Sequence, residues 1–386
     1  MEVVITKKGY DDMREKKKIL FFIYQMGAGG AARTLLNIVN HLDRQTFEPI
    51  LVTLNFDGSY ERYLKKDVKF IKLSTNRLRK SIIPLAKIIR KTKPDLVFST
   101  IPVYNTIAIL ARFLSFTQTK SIVREAAYLG GDFKTNMKLH LFGMLYRTSH
   151  KVIALSQGVK QNLIKRYRIK ESKIKVIYNP LDLEHINEQI STGILSEDHA
   201  LIFNETTKVI VTAGRLVPEK DQKTLLKAFA LLREKIDVKL IILGEGELEN
   251  TLKDLTKTLN ISQDVYFAGF VNNPYIYFHR ADLFALSSLN EGFGHVLVEA
   301  LATKVPIVST ACEPGALEVL ADGEFGALVP LRDPETMSAK MFELLTLTEK
   351  NRHAMIEKGY ERAQDFAVEQ IVGEYENIFL QTIGDR

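Results

Sequence analysis

The 386-residue chain is 46% hydrophobic, 26% charged and 9% aromatic, which excludes a disordered, collagen-like or low-complexity protein. At roughly 150 residues per domain, that length predicts two or three domains. The net charge of +7 conceals an asymmetry: residues 1–180 carry 34 Lys and Arg against 13 Asp and Glu (+21), whereas residues 181–386 carry 19 against 33 (−14). A basic half calls for an anionic partner: nucleic acid, an anionic membrane face, an anionic substrate, or the acidic half itself. The single cysteine, Cys312, excludes an intrachain disulfide framework and a cysteine-rich zinc site, so a reducing compartment is expected. No apolar run approaches the length of a membrane span, and the first 18 residues lack the apolar core of a signal peptide. A cytosolic protein is the expectation.

Strand and helix patterns alternate along the chain. The run 18–24 (KILFFIY) reads as a strand, followed by a glycine-rich turn and a helix over 34–42. Residues 49–54 form the next strand, and 81–91 a helix with Ile82, Leu85, Ile88 and Ile89 on one side. Strands over 95–99, 121–123, 151–155 and 175–178 continue the series. Near-continuous apolar strands separated by helices indicate a parallel sheet covered on both faces. The weakly periodic, acidic stretch 181–207 reads as a domain connection. A second alternation then runs through strands at 208–212, 239–243, 265–268, 283–286 and 305–309, and ends in a helix over about 368–380. The expected architecture is α/β: two doubly wound, Rossmann-like domains facing a central cleft. The first spans 1–185 and the second 186–365. A C-terminal helix over 366–386 packs on either of them.

Three segments carry chemistry. Residues 27–32 (GAGGAA) join the first strand to the first helix, where small residues let a ligand approach the backbone. The spacing also satisfies the dinucleotide fingerprint G-x-G-x-x-A, yet Asp57 is a poor match for the acidic residue expected at the end of the second strand; a tight packing turn is the plain alternative. Residues 214–221 (GRLVPEKD) follow the first strand of the second half and place Arg215 and Lys220 at the carboxyl edge of a sheet. A planar fork and a point charge five residues apart suit a diphosphate, with a solvated surface loop as the plain alternative. The most specific segment is 290–300 (NEGFGHVLVEA). Two glycines mark a loop that enters a helix near His295, whose first amides offer an anion site. Glu291 stands before the helix, and Glu299 lies within it among apolar neighbours, where a carboxylate requires hydrogen-bond donors such as ligand hydroxyls.

The Glu291–Glu299 E-x7-E pair, the Arg215/Lys220 loop and the N-terminal glycine turn together resemble the nucleotide-sugar glycosyltransferases of family 4, of GT-B fold, over nearly the whole chain. The segments 156–159 (SQGV), 178–182 (YNPLD) and 244–246 (GEG) resemble family segments as well. Residues 309–316 (STACEPGA), with Glu318 after them, resemble members that build bacterial surface polysaccharides and glycolipids. The resemblance implies Arg215 and Lys220 on the donor diphosphate, Glu299 on the ribose hydroxyls and Glu291 on the donor sugar. It assigns backbone contacts to Phe293, Gly294, His295 and Val296, a donor-side turn to Gly244, and close approach to Gly29 and Gly30. It implies retention of anomeric configuration and no metal; the chain indeed carries no Asp-x-Asp, so cations must neutralise the diphosphate. A hexose or N-acetylhexosamine from a nucleotide sugar, above all a UDP-sugar, is the expected donor. The acceptor is a lipid-linked or polysaccharide glycan at the cytoplasmic face of the plasma membrane, with the protein peripherally bound to an anionic surface.

Many relatives carry a histidine after the strand at 120–123; here Arg124 and Glu125 stand in that place, either lining the acceptor side or forming a local ion pair. An NAD-dependent oxidoreductase leaves the E-x7-E helix and the cationic loop unexplained. A nucleic-acid binder is disfavoured by the acidic second half. A GT-B nucleotide-sugar epimerase or phosphorylase matches the motif set less completely. Cys312 is expected to have no chemical role, and His295 to contribute its amide rather than its imidazole.

Overall fold

The computed structural model describes residues 15–27, 29–203 and 207–384. Residues 1–14 of the segment read for a signal peptide, Ala28 of the glycine turn and residues 204–206 of the 181–207 stretch lie outside them. The strands are β1 (Lys17–Phe22), β2 (Phe47–Thr53), β3 (Lys69–Lys72), β4 (Leu96–Thr100), β5 (Lys120–Glu125), β6 (Lys151–Ala154), β7 (Ile174–Val176), β8 (Lys208–Ala213), β9 (Val238–Leu243), β10 (Val265–Gly269), β11 (Leu283–Leu286), β12 (Ile307–Thr310) and β13 (Ala327–Val329). The helices begin with α1 (Gly30–His41), α2 (Ile82–Thr92), α3 (Pro102–Ser115), α4 (Phe133–Tyr146), α5 (Gln157–Lys165), α6 (Leu183–Thr192), α7 (Glu197–Ile202) and α8 (Gln222–Arg233). They continue with α9 (Glu249–Thr258), α10 (Tyr275–Arg280), α11 (His295–Ala302), α12 (Gly315–Val319), α13 (Pro334–Leu345), α14 (Glu349–Gln364) and α15 (Val368–Gly384).

Two compact units result. The first comprises Met1–Ala154, Lys160–Ile177 and Ile371–Arg386; the second comprises Leu155–Val159 and Tyr178–Gln370. The main division of contacts thus falls at 177/178, where the sequence suggested 185/186.

The sheet of the first unit runs β3-β2-β1-β4-β5-β6-β7, and every pairing is parallel. Its order reverses at β1, and right-handed crossovers running in opposite directions from that strand put helices on opposite faces. Leu20, Phe22, Ile50, Val52 and Val97 from the sheet meet Leu85 and Ile89 of α2 in one buried cluster. On the first unit's other cluster of rings, Phe379 of α15 packs edge-on against Phe21, Phe47 and Phe98. Burial of this kind contributes about 1.5–3 kcal/mol per large apolar side chain.

The second sheet runs β10-β9-β8-β11-β12-β13, again with every pairing parallel, and reverses at β8. Ile210, Leu240 and Ile242 of its strands pack on Leu225, Phe229 and Leu232 of α8 and Met337 and Met341 of α13.

The strands called from apolar runs are present, most with ends within two residues of the expected positions. Two departures are physical. The connection 181–207 holds α6 and α7, each started by a side-chain cap: Asp182 accepts from the His185 amide (2.9 Å), and Ser196 accepts from the His199 amide (3.4 Å). Sparse apolar anchors, Ile186, Leu195 and Ile202, hold the two helices, which is why periodicity failed to show them. The short strands β3 and β13 escaped because each is an edge strand, half exposed along most of its length.

Candidate active site

Ligands of open parallel sheets bind outside the carboxyl ends of the strands, where the strand order reverses. In the second unit that place lies between β8 and β11. The loop leaving β8 carries Gly214 to Asp221, and the loop leaving β11 carries Ser287 to Gly294. They are tied to each other: Ser287 Oγ donates to the Lys220 carbonyl (2.9 Å), and the Leu289 amide donates to the Glu219 carbonyl (2.8 Å).

Lys220 Nζ donates to Glu291 Oε1 in a closely held ion pair, and Ser288 Oγ donates to the same oxygen (2.8 Å). Both groups are largely shielded, so the pair is screened less than a surface pair would be. Arg215 is exposed, while its backbone is pinned by Gln222 Nε2 donating to the Arg215 carbonyl (3.0 Å). The loop after β9 closes beneath this arrangement. Gly244 sits at φ +134°, and a Cβ there would lie 2.1 Å from the Gly214 carbonyl oxygen, so only glycine permits the approach.

Gly294 caps α11 in the left-handed region (φ +80°), turning the loop so that His295 opens the helix. The amides of that first turn, those of His295 and Val296 among them, head toward the loop. Phe293 is buried: its ring stacks on Tyr178 (5.7 Å between centroids) and meets Phe366 edge-on (5.4 Å). It anchors the loop through its side chain.

Glu299 lies in α11 and is 5% exposed. The carboxylate is not left to a ligand alone, as its apolar neighbours in sequence suggested. Tyr275 Oη of α10 donates to Glu299 Oε1 (3.2 Å), and His295 Nε2, one turn earlier, stands 3.6 Å from it. Tyr275 went unread because its link to Glu299 spans 24 residues with no local pattern. Cys312 is buried, and burial together with the nearby Glu291 charge pushes its thiol up to about 12, so it stays protonated at neutral pH.

A second feature absent from the sequence reading supports the loop. Ser156 Oγ donates to the Gly292 carbonyl (2.9 Å). Glu318 of α12 accepts from the Gln157 amide (2.7 Å) and from Tyr178 Oη (2.7 Å). A carboxylate from 161 residues away therefore caps the start of α5.

In the first unit, Gly29 caps α1 and Gly30 opens it. A Cβ at either position would meet nothing within 4 Å among the described residues, so no such contact demands glycine there. Arg124 and Glu125 end β5 and are 1% and 0% exposed. Neighbouring strand residues point to opposite faces, and the partners differ accordingly. Arg124 donates to Tyr375 Oη (3.0 Å) and Thr100 Oγ1 (3.0 Å). Glu125 accepts from Tyr146 and Tyr167 (3.0 Å each) and from the amides of Ala126 and Ala127. Asn105 extends that network by donating to Tyr146 Oη (2.7 Å). Burial pushes the Glu125 carboxyl up to about 7 against the pull of these donors.

The family model of glycosyl transferases group 1 matches residues 196–362, and that of glycosyltransferase family 4 matches residues 28–185. An N-acetylgalactosamine-N,N'-diacetylbacillosaminyl-diphospho-undecaprenol 4-alpha-N-acetylgalactosaminyltransferase of Campylobacter jejuni is 32% identical over 91% of this chain and 96% of its own length. A second Campylobacter jejuni protein, named as an alpha-1,4-N-acetyl-D-galactosaminyltransferase acting on GalNAc-alpha-(1->4)-GalNAc-alpha-(1->3)-diNAcBac-PP-undecaprenol, is 26% identical over 93% of this chain and 97% of its own. Among solved structures, HepE of Anabaena in complex with UDP-glucose superposes with a TM-score of 0.81 at 21% identity, over 94% of this chain and 99% of that one. With identity at this level running almost end to end over two parallel sheets, the chain belongs to the family 4 glycosyltransferases of GT-B fold.

Proposed function

We propose that this enzyme is a retaining, metal-independent transferase that moves a hexose or N-acetylhexosamine from a UDP-sugar to a lipid-linked glycan at the cytoplasmic face of the membrane. The observation that carries the reading is the joined pair of loops at the switch point of the second sheet. They bring Lys220, Glu291 and the start of α11 together, with Arg215 exposed beside Lys220 in sequence. The names of the Campylobacter jejuni relatives supply the acceptor class, and the UDP-glucose complex of HepE supplies the donor class.

In this reading Arg215 and Lys220 neutralise the diphosphate, and the first amides of α11 donate to its remaining oxygens. Glu299, oriented by Tyr275, takes the ribose hydroxyls. Glu291, oriented by Ser288 and Lys220 on Oε1, presents Oε2 to a sugar hydroxyl. As the bond from the anomeric carbon to the diphosphate oxygen breaks, charge grows on that oxygen, where the two cations stabilise it most. The acceptor oxygen bonds the anomeric carbon from the same face, and its proton passes to the departing phosphate. The first unit takes the acceptor side, with Gly29 and Gly30 permitting close approach. The buried network around Arg124 and Glu125 supports that side from beneath.

Thermal unfolding with UDP, UDP-sugars, GDP and NAD, each with and without EDTA, tests the reading. A saturating ligand at 100 times its Kd adds about 2.7 kcal/mol. Stabilisation by UDP that survives EDTA is expected. Stabilisation by NAD alone would transfer the glycine turn to a dehydrogenase and end the proposal. Glu299→Ala should raise the donor KM and lower turnover.

A further inference from the structure

We propose that the exposed face of α4 is a docking surface for an anionic lipid bilayer. The inference rests on the transferase reading for its purpose, since a lipid-linked acceptor lies in a membrane; the surface itself is argued from the helix. One face of α4 is built into the first unit. Leu139, Gly143 and Tyr146 are buried, and a Cβ on Gly143 would lie 1.9 Å from the Tyr167 carbonyl oxygen. Tyr146 Oη is locked between Asn105 and Glu125.

The opposite face is apolar and open to solvent. Phe133, Met137, Leu141 and Met144 are 76%, 52%, 56% and 52% exposed. At 3.6 residues per turn these four positions fall within an arc of about 80°. Lys134 and Lys138 flank the stripe on one side and Arg147 on the other, all exposed. Residues 133–150 contain no Asp or Glu. A fixed helix that shows a contiguous apolar stripe, edged by two lysines on one side and an arginine on the other, has the chemistry of one lying in a lipid interface, with its apolar side in the acyl boundary and its cations at anionic headgroups. The charge also selects among occupants. A second copy of this chain seated on the same face would bring Lys134 and Lys138 against like charges, whereas an anionic headgroup layer complements them. No helix among the described residues is long and apolar enough to cross a membrane, so this is attachment in the plane of the surface.

Flotation of the full chain with phosphatidylcholine vesicles, with and without roughly one-third phosphatidylglycerol, tests the proposal, because each cation near an anionic surface strengthens attachment about fivefold. The wild type is expected to float with the anionic vesicles, less so at high salt, and not with the neutral ones. Leu141→Glu and the double variant Lys134→Glu/Lys138→Glu should each lose at least about tenfold in partitioning. Both should keep the wild-type circular dichroism and the wild-type rate of UDP release from a UDP-sugar without vesicles. Leu201→Glu, at an exposed apolar position of α7 in the second unit, should float like the wild type. Wild-type flotation by Leu141→Glu, or equal binding of neutral and anionic vesicles, would overturn the assignment. So would a wild-type dimer that Leu141→Glu dissolves. Flotation that behaves as expected in a protein releasing no UDP would uphold the surface and sink the transferase reading instead.

Discussion

Glu125 and Glu299 are both glutamates set among apolar residues, one in each unit, and both are nearly closed to solvent. Their surroundings differ. Glu125 ends a strand and is gripped by two tyrosine hydroxyls and two backbone amides of its own unit. Glu299 stands in α11, about one turn along from a loop rich in cation, carboxylate and amide groups, with Tyr275 and His295 beside it. A buried carboxylate in a sequence is therefore two kinds of object. One is a structural knot whose donors are internal; the other, under the proposed function, sits beside groups that a ligand completes. The distinction lies in what surrounds the carboxylate in space.

The sharpest way to break this comparison is to strip the charge from the second unit's loops. Lys220→Ala leaves Glu291 Oε1 with Ser288 alone and, under the proposed function, removes a cation from the developing charge on the leaving phosphate. Turnover should fall about 10²- to 10³-fold, or roughly 3–4 kcal/mol of transition-state stabilisation. Arg215→Ala should lose turnover on the same scale, and its exposure predicts an unchanged unfolding midpoint. Steady-state kinetics with a UDP-sugar and denaturant titration check both. Wild-type turnover in either variant would place the donor diphosphate elsewhere.

The next effect belongs to Glu125 and is read in pH. Its carboxyl is raised from 4.5 to about 7 in the folded state, chiefly by burial. Below about pH 4.5 the group is protonated in both states, and its contribution is fully present. Between there and pH 7 the unfolded chain ionises while the folded chain holds the proton, so stability falls as pH rises, and it levels off above 7. The full loss is on the order of 3 kcal/mol. Glu125→Gln carries no such proton and should flatten that slope, measured as the difference in unfolding free energy between mutant and wild type across pH 4–8. An unchanged slope would show that Glu125 ionises freely in the fold and that its network is not a closed knot.

The sequence revealed much of the fold and the outline of the site, for a shared physical reason. A strand buried on both faces declares itself locally as an apolar run, so β1, β4, β8 and β11 were legible. Loops at carboxyl ends declare themselves by glycine and charge within a few residues, as 214–221 and 290–300 do. What stayed hidden is held by distant partners. α6 and α7 have two caps and few apolar anchors, too little for periodicity to register. Glu318 caps α5 across 161 residues, and Tyr146 and Tyr167 reach Glu125 across 21 and 42. Arg124 and Glu125 were legible as chemically unusual residues ending a strand, but which face each one served was not.

A matched pair of small substitutions separates the two kinds of buried glutamate most cleanly. Tyr167→Phe and Tyr275→Phe each delete one hydroxyl that donates to a glutamate oxygen. Each leaves a ring of nearly the same volume, so packing changes little. At Glu125 the lost donor cannot be replaced from solvent, because the carboxylate is fully buried. Tyr167→Phe should cost about 1–3 kcal/mol of stability, push the Glu125 carboxyl further up, and leave the donor KM unchanged. At Glu299 the lost donor would be replaced by a ribose hydroxyl held in poorer register. Tyr275→Phe should therefore raise the donor KM by roughly fivefold, the worth of about one hydrogen bond, with a smaller loss of stability. Urea unfolding and donor kinetics on the two proteins read both axes. If Tyr275→Phe moves only stability and leaves KM alone, Glu299 is a structural knot of the same kind as Glu125, and the ribose contact must be sought among other residues of α11.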